Sequence, residues 1–214
     1  MENRDRRIRV EPILFLDVDG VLNTKYTKSN IELDGRHVTA MDRELVGRLV
    51  RLLKESDCKI VLSSTWRIGG IDEGGAFFKA IKSASLANPD WYDLIKDRLI
   101  DKTEIRFSPR PRGYEIYSWV ENWYEDNKDA LLVFVIFDDM MPMTPFQKRL
   151  VRTNMDYGLQ EDEVDKAVKM FGDHPKLCLP NWPRAFSSPY VDDECPVESE
   201  MSKLLEKYDG VHEK

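Results

Sequence analysis

The sequence predicts an α/β protein built on a doubly wound, mainly parallel sheet. Three observations carry that prediction: short apolar runs at 13–16, 60–62 and 131–137, helical periodicity between them, and polar residues placed directly behind each run. Continuous apolar runs rich in branched residues suit strands buried on both faces, and strands that alternate with helices build parallel sheets. The length of 214 residues and the 42% hydrophobic content are enough for one full core plus an appendage.

In chain order, the first strand is expected at 13–16, ending in Asp17-Val18-Asp19-Gly20. Residues two apart on an extended chain face the same way, so Asp17 and Asp19 form a carboxylate pair at a strand end. Such a pair can divide nucleophilic and proton-transfer work, with a divalent cation offsetting its repulsion. From about 42 to 55, Leu45, Leu49, Leu52 and Leu53 recur at helical spacing. The second run, 60–62, ends in Ser63, Ser64 and Thr65. The segment 67–102 has room for one or two helices, with Gly69-Gly70 and Gly74-Gly75 flanking a stretch able to close over a small substrate. A further strand is expected at 104–107 and a helix from 113 to about 127, with Ile116, Trp119, Val120 and Trp123 on one face. The aromatic group Trp119, Trp123 and Tyr124 reads as helix packing rather than a base-stacking platform.

The third run, 131–137, ends in Asp138 and Asp139, a short strand follows at 149–153, and 160–171 forms a helix whose first turn holds Glu161, Asp162 and Glu163, as the helix dipole favours. The division expected is a catalytic domain at 1–172 and a proline-rich tail at 173–214, with a short amphipathic helix over 197–208. Ligands of doubly wound sheets bind at the carboxyl ends of the strands, where three separate strand ends here deliver acceptors or hydroxyls.

The net charge of −7 argues against a protein that coats nucleic acid non-specifically, but admits one nucleic acid end entering one pocket. Arg4, Arg6, Arg7 and Arg9 read as a solvated terminus. No run approaches the roughly 18 apolar residues of a membrane span, and no signal-peptide pattern is seen, so a cytoplasmic protein without membrane partners is expected. Cys58, Cys178 and Cys195 are too widely spaced for a zinc site or a disulfide framework, and the three histidines lack ligand spacing. A calcium loop starting at Asp17 fails, because Val21 and Lys28 stand where that loop needs oxygen ligands. A receiver domain would need its acidic pair early and its phosphate acceptor later, the reverse of the order here.

Four segments, Leu-Asp17-Val-Asp19-Gly-Val-Leu-Asn23, Val-Leu-Ser63-Ser64-Thr65-Trp66-Arg67, Arg112-Gly-Tyr-Glu115-Ile and Ile-Phe-Asp138-Asp139, resemble in order the motifs of the haloacid dehalogenase-like (HAD) superfamily of phosphohydrolases. With Arg149-Leu-Val-Arg-Thr153 and Tyr157-Gly158-Leu159, they are similar to the branch found in Swiss-army-knife RNA repair proteins, over about 8–171. The resemblance implies a HAD-like Rossmannoid fold with a minimal cap or none, and a Mg2+-dependent phosphatase. Asp17 would be the nucleophile and Asp19 the acid and base. Asp17, the Asp19 carbonyl and Asp138 would hold the metal, with Asp139 acting through water. Either Ser63 or Ser64 would bind the substrate phosphate, and either Arg112 or Arg110 would neutralise its charge. Trp66 and Arg67, which follow the hydroxyl residues, would help shape the pocket, with core packing the alternative for Trp66. The substrate expected is a phosphorylated nucleic acid terminus or nucleotide. A small metabolite, a phosphoprotein, and a weakly active regulatory or scaffold module remain as alternatives.

Overall fold

The computed structural model describes residues 9–28, 30–33, 36–68, 70–105, 112–128 and 130–173. Five parallel strands form the main sheet: β1 (Arg9–Leu16), β4 (Lys59–Leu62), β5 (Leu99–Lys102), β6 (Ala130–Asp138) and β7 (Leu150–Arg152), in the order β5-β4-β1-β6-β7. The hairpin β2 (Asn30–Leu33) and β3 (Arg36–Thr39) occupies the short segment after the first strand. Helices α1 (Arg43–Ser56), α2 (Ala76–Ala84), α3 (Pro89–Arg98) and α5 (Glu161–Gly172) cover one face, and α4 (Arg112–Asp126) covers the other. The α/β reading and its mainly parallel sheet are what the structure displays.

β1 begins four residues earlier than its apolar run suggests. Its first half pairs only with β6, and pairing with β4 starts at Ile13. Pro12 therefore sits where β1 has a free side, which is where a strand tolerates a residue lacking an N–H. The strand expected at 104–107 is displaced to β5 at Leu99–Lys102; Glu104 and Ile105 are not in a strand, and Arg106 and Phe107 lie outside the described residues. As an edge strand, β5 is only partly buried, so it carries none of the unbroken apolar pattern that marks the central strands.

The alternation along each strand sorts side chains between two cores. Leu14, Leu16, Ile60, Leu62, Val133, Val135, Phe137 and Val151 pack with α1, α2, α3 and α5. Ile13, Phe15, Val61, Phe134, Ile136 and Leu150 pack with Ile116 and Val120 of α4. Helix α1 buries Leu45, Val46, Leu49, Val50, Leu52 and Leu53 and is capped by Asp42, whose side chain accepts from Glu44 N. Each such side chain contributes roughly 1.5–3 kcal/mol of burial. In α4, Trp119 packs edge-on against Phe15 at 5.3 Å, and Trp123 and Tyr124 pack against the same core, as expected.

The proline-rich segment 174–214, with Cys178, Cys195 and the helix expected at 197–208, lies outside the described residues, as does Arg110. No helix among the described residues is long and apolar enough to cross a membrane.

Candidate active site

The register of the sheet builds the site. Leu16 is level with both Leu62 and Phe137, and Phe137 with Val151, so the next residues, Ser63, Asp17, Asp138 and Arg152, form a row along the carboxyl edge. The ladder carries on one step past the strands, through Asp17 N to Phe137 O (2.9 Å), Ser63 N to Leu16 O (2.9 Å) and Thr153 N to Asp138 O (3.1 Å). Because side chains alternate, this row shares the face of Phe15, Val61, Ile136 and Leu150, which is the α4 face. Arg112, the first residue of α4, enters from that side. Its Nη1 donates to Asp17 Oδ2 and, at 2.7 Å, to Asp138 Oδ2. Gly113 lets the head of α4 approach so closely, since a Cβ there would stand 2.1 Å from the Thr144 carbonyl oxygen.

Asp17 is 3% exposed and Asp138 fully buried. Asp17 Oδ1 accepts from Val18 N (2.8 Å) and Asp138 Oδ1 from Met140 N (2.9 Å). Gly20, at φ +74°, turns the chain sharply after Asp19, and a Cβ there would stand 2.7 Å from Asp139 Cγ. Thr153 Oγ1 donates to Gly20 O at 2.8 Å and ties this turn to the end of β7.

Asp19 is held by two donors. Trp66 Nε1 lies 3.1 Å from each carboxylate oxygen, and Asn23 Nδ2 donates to Oδ1 at 2.8 Å. Trp66 therefore does both things the sequence left open, packing its ring against the core while its N–H reaches Asp19. The two serines differ. Ser64 Oγ accepts from Trp66 N (3.4 Å) and caps the 3-10 turn Thr65–Arg67, whereas Ser63 Oγ is buried without a partner among the described residues.

Arg67, expected with Trp66 to shape the pocket, pairs with Glu115, to which motif reading gave no role. The Arg67 guanidinium, 3% exposed, donates to Ser63 O (2.6 Å), Ser64 O (2.5 Å) and Glu115 Oε2 (2.6 Å). Glu115 stands one turn after Arg112, so this ion pair locks the serine loop to the helix that carries Arg112. A sequence signal existed only as Arg67 and Glu115 each standing a fixed distance from a motif residue; their pairing spans 48 residues.

With this geometry in view, the chain matches, over residues 13–164, the family described as the HAD domain in Swiss Army Knife RNA repair proteins. It belongs to that family. Comparison with curated proteins and with solved structures gives no significant match. The family is one of phosphohydrolases, and the acidic cluster fits that chemistry.

In this HAD domain, Asp17, Asp138 and Asp139 each offer a carboxylate oxygen within 4.8 Å of the others. An all-carboxylate donor set of hard oxygens suits a divalent cation such as magnesium, and the residues present fit it. Burial opposes the Arg112 charge, but Asp17 and Asp138 outweigh it and hold the guanidinium firmly protonated. Burial pushes the Asp138 carboxyl up to about 6, with Arg112 opposing and Asp17 adding to the rise. Asp139 is raised as well, by burial and then by Asp17.

For Asp138 the sign follows directly. A carboxyl raised in the folded state contributes stability that is complete below its unfolded value near 4 and lost as pH rises through about 6. The metal-free HAD domain is expected to lose about 3 kcal/mol between pH 4 and pH 7 from this group. Thermal melts in EDTA across that window should show it, and Asp138→Asn should flatten the trend. Saturating magnesium should do the same, because metal binding favours the ionised carboxylate. A melting temperature that climbs steadily from pH 5 to pH 7 in EDTA counts against the assignment.

Proposed function

We propose that the protein is a magnesium-dependent phosphatase that works through an aspartyl-phosphate intermediate and removes terminal phosphates from nucleic acid or nucleotides. The observation that carries this reading is the row of Ser63, Asp17 and Asp138 facing one guanidinium, Arg112, at the carboxyl edge of the sheet. Family membership supports phosphoester hydrolysis, and the family's description supports an RNA-related substrate.

Asp17 attacks the phosphorus through a carboxylate oxygen, which splits one difficult displacement into two easier ones. Arg112 neutralises charge on the transferring group, and Ser63, whose buried hydroxyl has no partner among the described residues, donates to a phosphoryl oxygen. Asp19, held at a fixed angle by Trp66 and Asn23, gives its proton to the leaving oxygen and later takes one from the attacking water. Magnesium held by Asp17, Asp138, Asp139 and the Asp19 carbonyl would offset the negative charge gathered there.

The test is phosphate release with and without EDTA over one panel: nucleoside monophosphates, 3′- and 5′-phosphorylated oligonucleotides, a phosphopeptide and sugar phosphates. Magnesium-dependent release, highest on a nucleic acid or nucleotide, is expected. Silence on every member by a folded, magnesium-binding protein overturns the reading.

A further inference from the structure

The row at the carboxyl edge does not stop at the carboxylates. Its last member, Arg152, is level with Asp138, exposed, and anchored through Nε to Asp139 O at 3.1 Å. Arg9, Arg48, Arg51 and Arg98 each meet a carboxylate. Arg152 meets none among the described residues, although the protein is acidic overall. It lines a depression of about 430 Å³ with Asp139, Thr153, Asn154 and Met155, so one wall of the depression is a carboxylate of the active site itself. Asn154 Oδ1 is occupied by Asp156 N at 2.7 Å, which leaves its Nδ2 without an acceptor among the described residues. The depression thus offers the Arg152 Nη groups and Asn154 Nδ2, which meet no acceptor among the described residues, beside the acidic cluster.

Two exposed tyrosines stand on the segments that adjoin the depression. Lys25 N donates to Met155 O at 3.1 Å, which joins the loop after β1 to the turn after β7. Tyr26 is 63% exposed in that loop and Tyr157 66% exposed in that turn. Lys25 ion-pairs with Asp156 at 2.6 Å, so it adds little free positive charge here.

We propose that this depression binds the internucleotide phosphate next to the terminal phosphate of a single-stranded nucleic acid, with Arg152 and Asn154 donating to its non-bridging oxygens. The inference rests on the phosphatase reading above and deepens it from nucleic acid or nucleotides to the ends of polynucleotides. A nucleic acid end carries a second phosphate at a fixed chemical distance from the first, whereas a phosphopeptide or a mononucleotide has none there. Single strands are held by bases stacking on exposed rings while the backbone meets cations; Tyr157 presents such a ring, whereas Lys25 Nζ lies over the Tyr26 ring at 4.9 Å. An exposed guanidinium beside the acidic cluster fits a protein of net charge −7 that handles an end without coating the strand.

The experiment has two arms on the full chain with magnesium. In the first, Arg152→Ala is expected to lower the ratio of kcat/KM for a terminally phosphorylated oligonucleotide to that for a nucleoside monophosphate by roughly tenfold or more, through KM. In the second, a fluorescein-labelled phosphorylated oligonucleotide is titrated against Asp17→Asn and against Asp17→Asn/Arg152→Ala across a salt series. Weaker binding by the double variant, with a log-log salt slope smaller by about 0.7, is expected for one lost phosphate contact on a single strand. An unchanged ratio, an unchanged affinity, or a wild-type preference for the phosphopeptide overturns the subsite. Absence of phosphate release from every substrate overturns the phosphatase reading instead, and the binding arm then decides the subsite by itself.

Discussion

Asp17→Asn is expected to abolish phosphate release, by at least about 10³-fold in kcat, while leaving a folded protein. The amide cannot attack phosphorus, yet it is nearly isosteric, and its oxygen can still accept from Val18 N as Asp17 Oδ1 does now. The substitution removes the Arg112 partner at Oδ2, but it also removes one of three carboxylates crowded within 4.8 Å. These effects oppose each other, so the melting temperature should stay within a few degrees of wild type while turnover vanishes. The measurement is phosphate release on the best substrate of the panel beside a thermal melt of both proteins. Retained turnover in a folded Asp17→Asn would remove Asp17 as the nucleophile, and the aspartyl-phosphate route with it.

The second large effect is expected directly behind the reacting groups, at Glu115. Its carboxylate meets a guanidinium whose side chain is only 4% exposed, and burial works against that charge, lowering the Arg67 pKa while Glu115 opposes the fall. Nearby Arg112 adds repulsion. Glu115→Ala leaves Arg67 facing carbonyl oxygens and another cation, and breaking a buried pair from one side costs about 3–5 kcal/mol. A drop of roughly 10 °C in melting temperature is expected for a chain of this size. Replacing both partners, as in Arg67→Met/Glu115→Leu, should recover much of that stability, because no charge is left buried. Catalysis should not recover with it, since the Ser63 and Ser64 carbonyls lose the clamp that holds their loop against α4. Melts of the single and double variants, paired with kcat and KM, separate the two roles. A Glu115→Ala protein that melts like wild type would end the argument.

How much of this was legible beforehand depends on the kind of signal each feature leaves. β1, β4 and β6 announced themselves because strands buried on both faces cannot afford polar interruptions. Helices α1, α4 and α5 were found within about a residue of their ends, since an amphipathic face repeats and the caps Asp42 and Gln160 punctuate it. β5 was misplaced because an edge strand, half solvated, has no such signature. The hairpin of β2 and β3 was not foreseen either, being short and flanked by polar residues.

For the site, the sequence by itself determined which residue types stand behind each strand, and so named Asp17, Asp19, Ser63, Ser64, Asp138 and Asp139 as candidates, while the family resemblance added Arg112, or Arg110, near the head of a helix. The strand-end choices follow from local rules, period-two alternation and the position of strand ends, which act within a few residues. Only the tertiary structure decided the rest. It set the parallel register that puts Asp17 level with both Ser63 and Asp138, and it aimed Arg112 at two carboxylates at once. It left the Ser63 hydroxyl unpartnered among the described residues while Ser64 caps a turn, and it joined Trp66 to Asp19 and Arg67 to Glu115. Those pairings span about fifty residues of chain, and no local periodicity encodes them. They exist because burial of two apolar cores fixes the sheet and its helices in one arrangement, and the polar groups at its edge must then find partners within it.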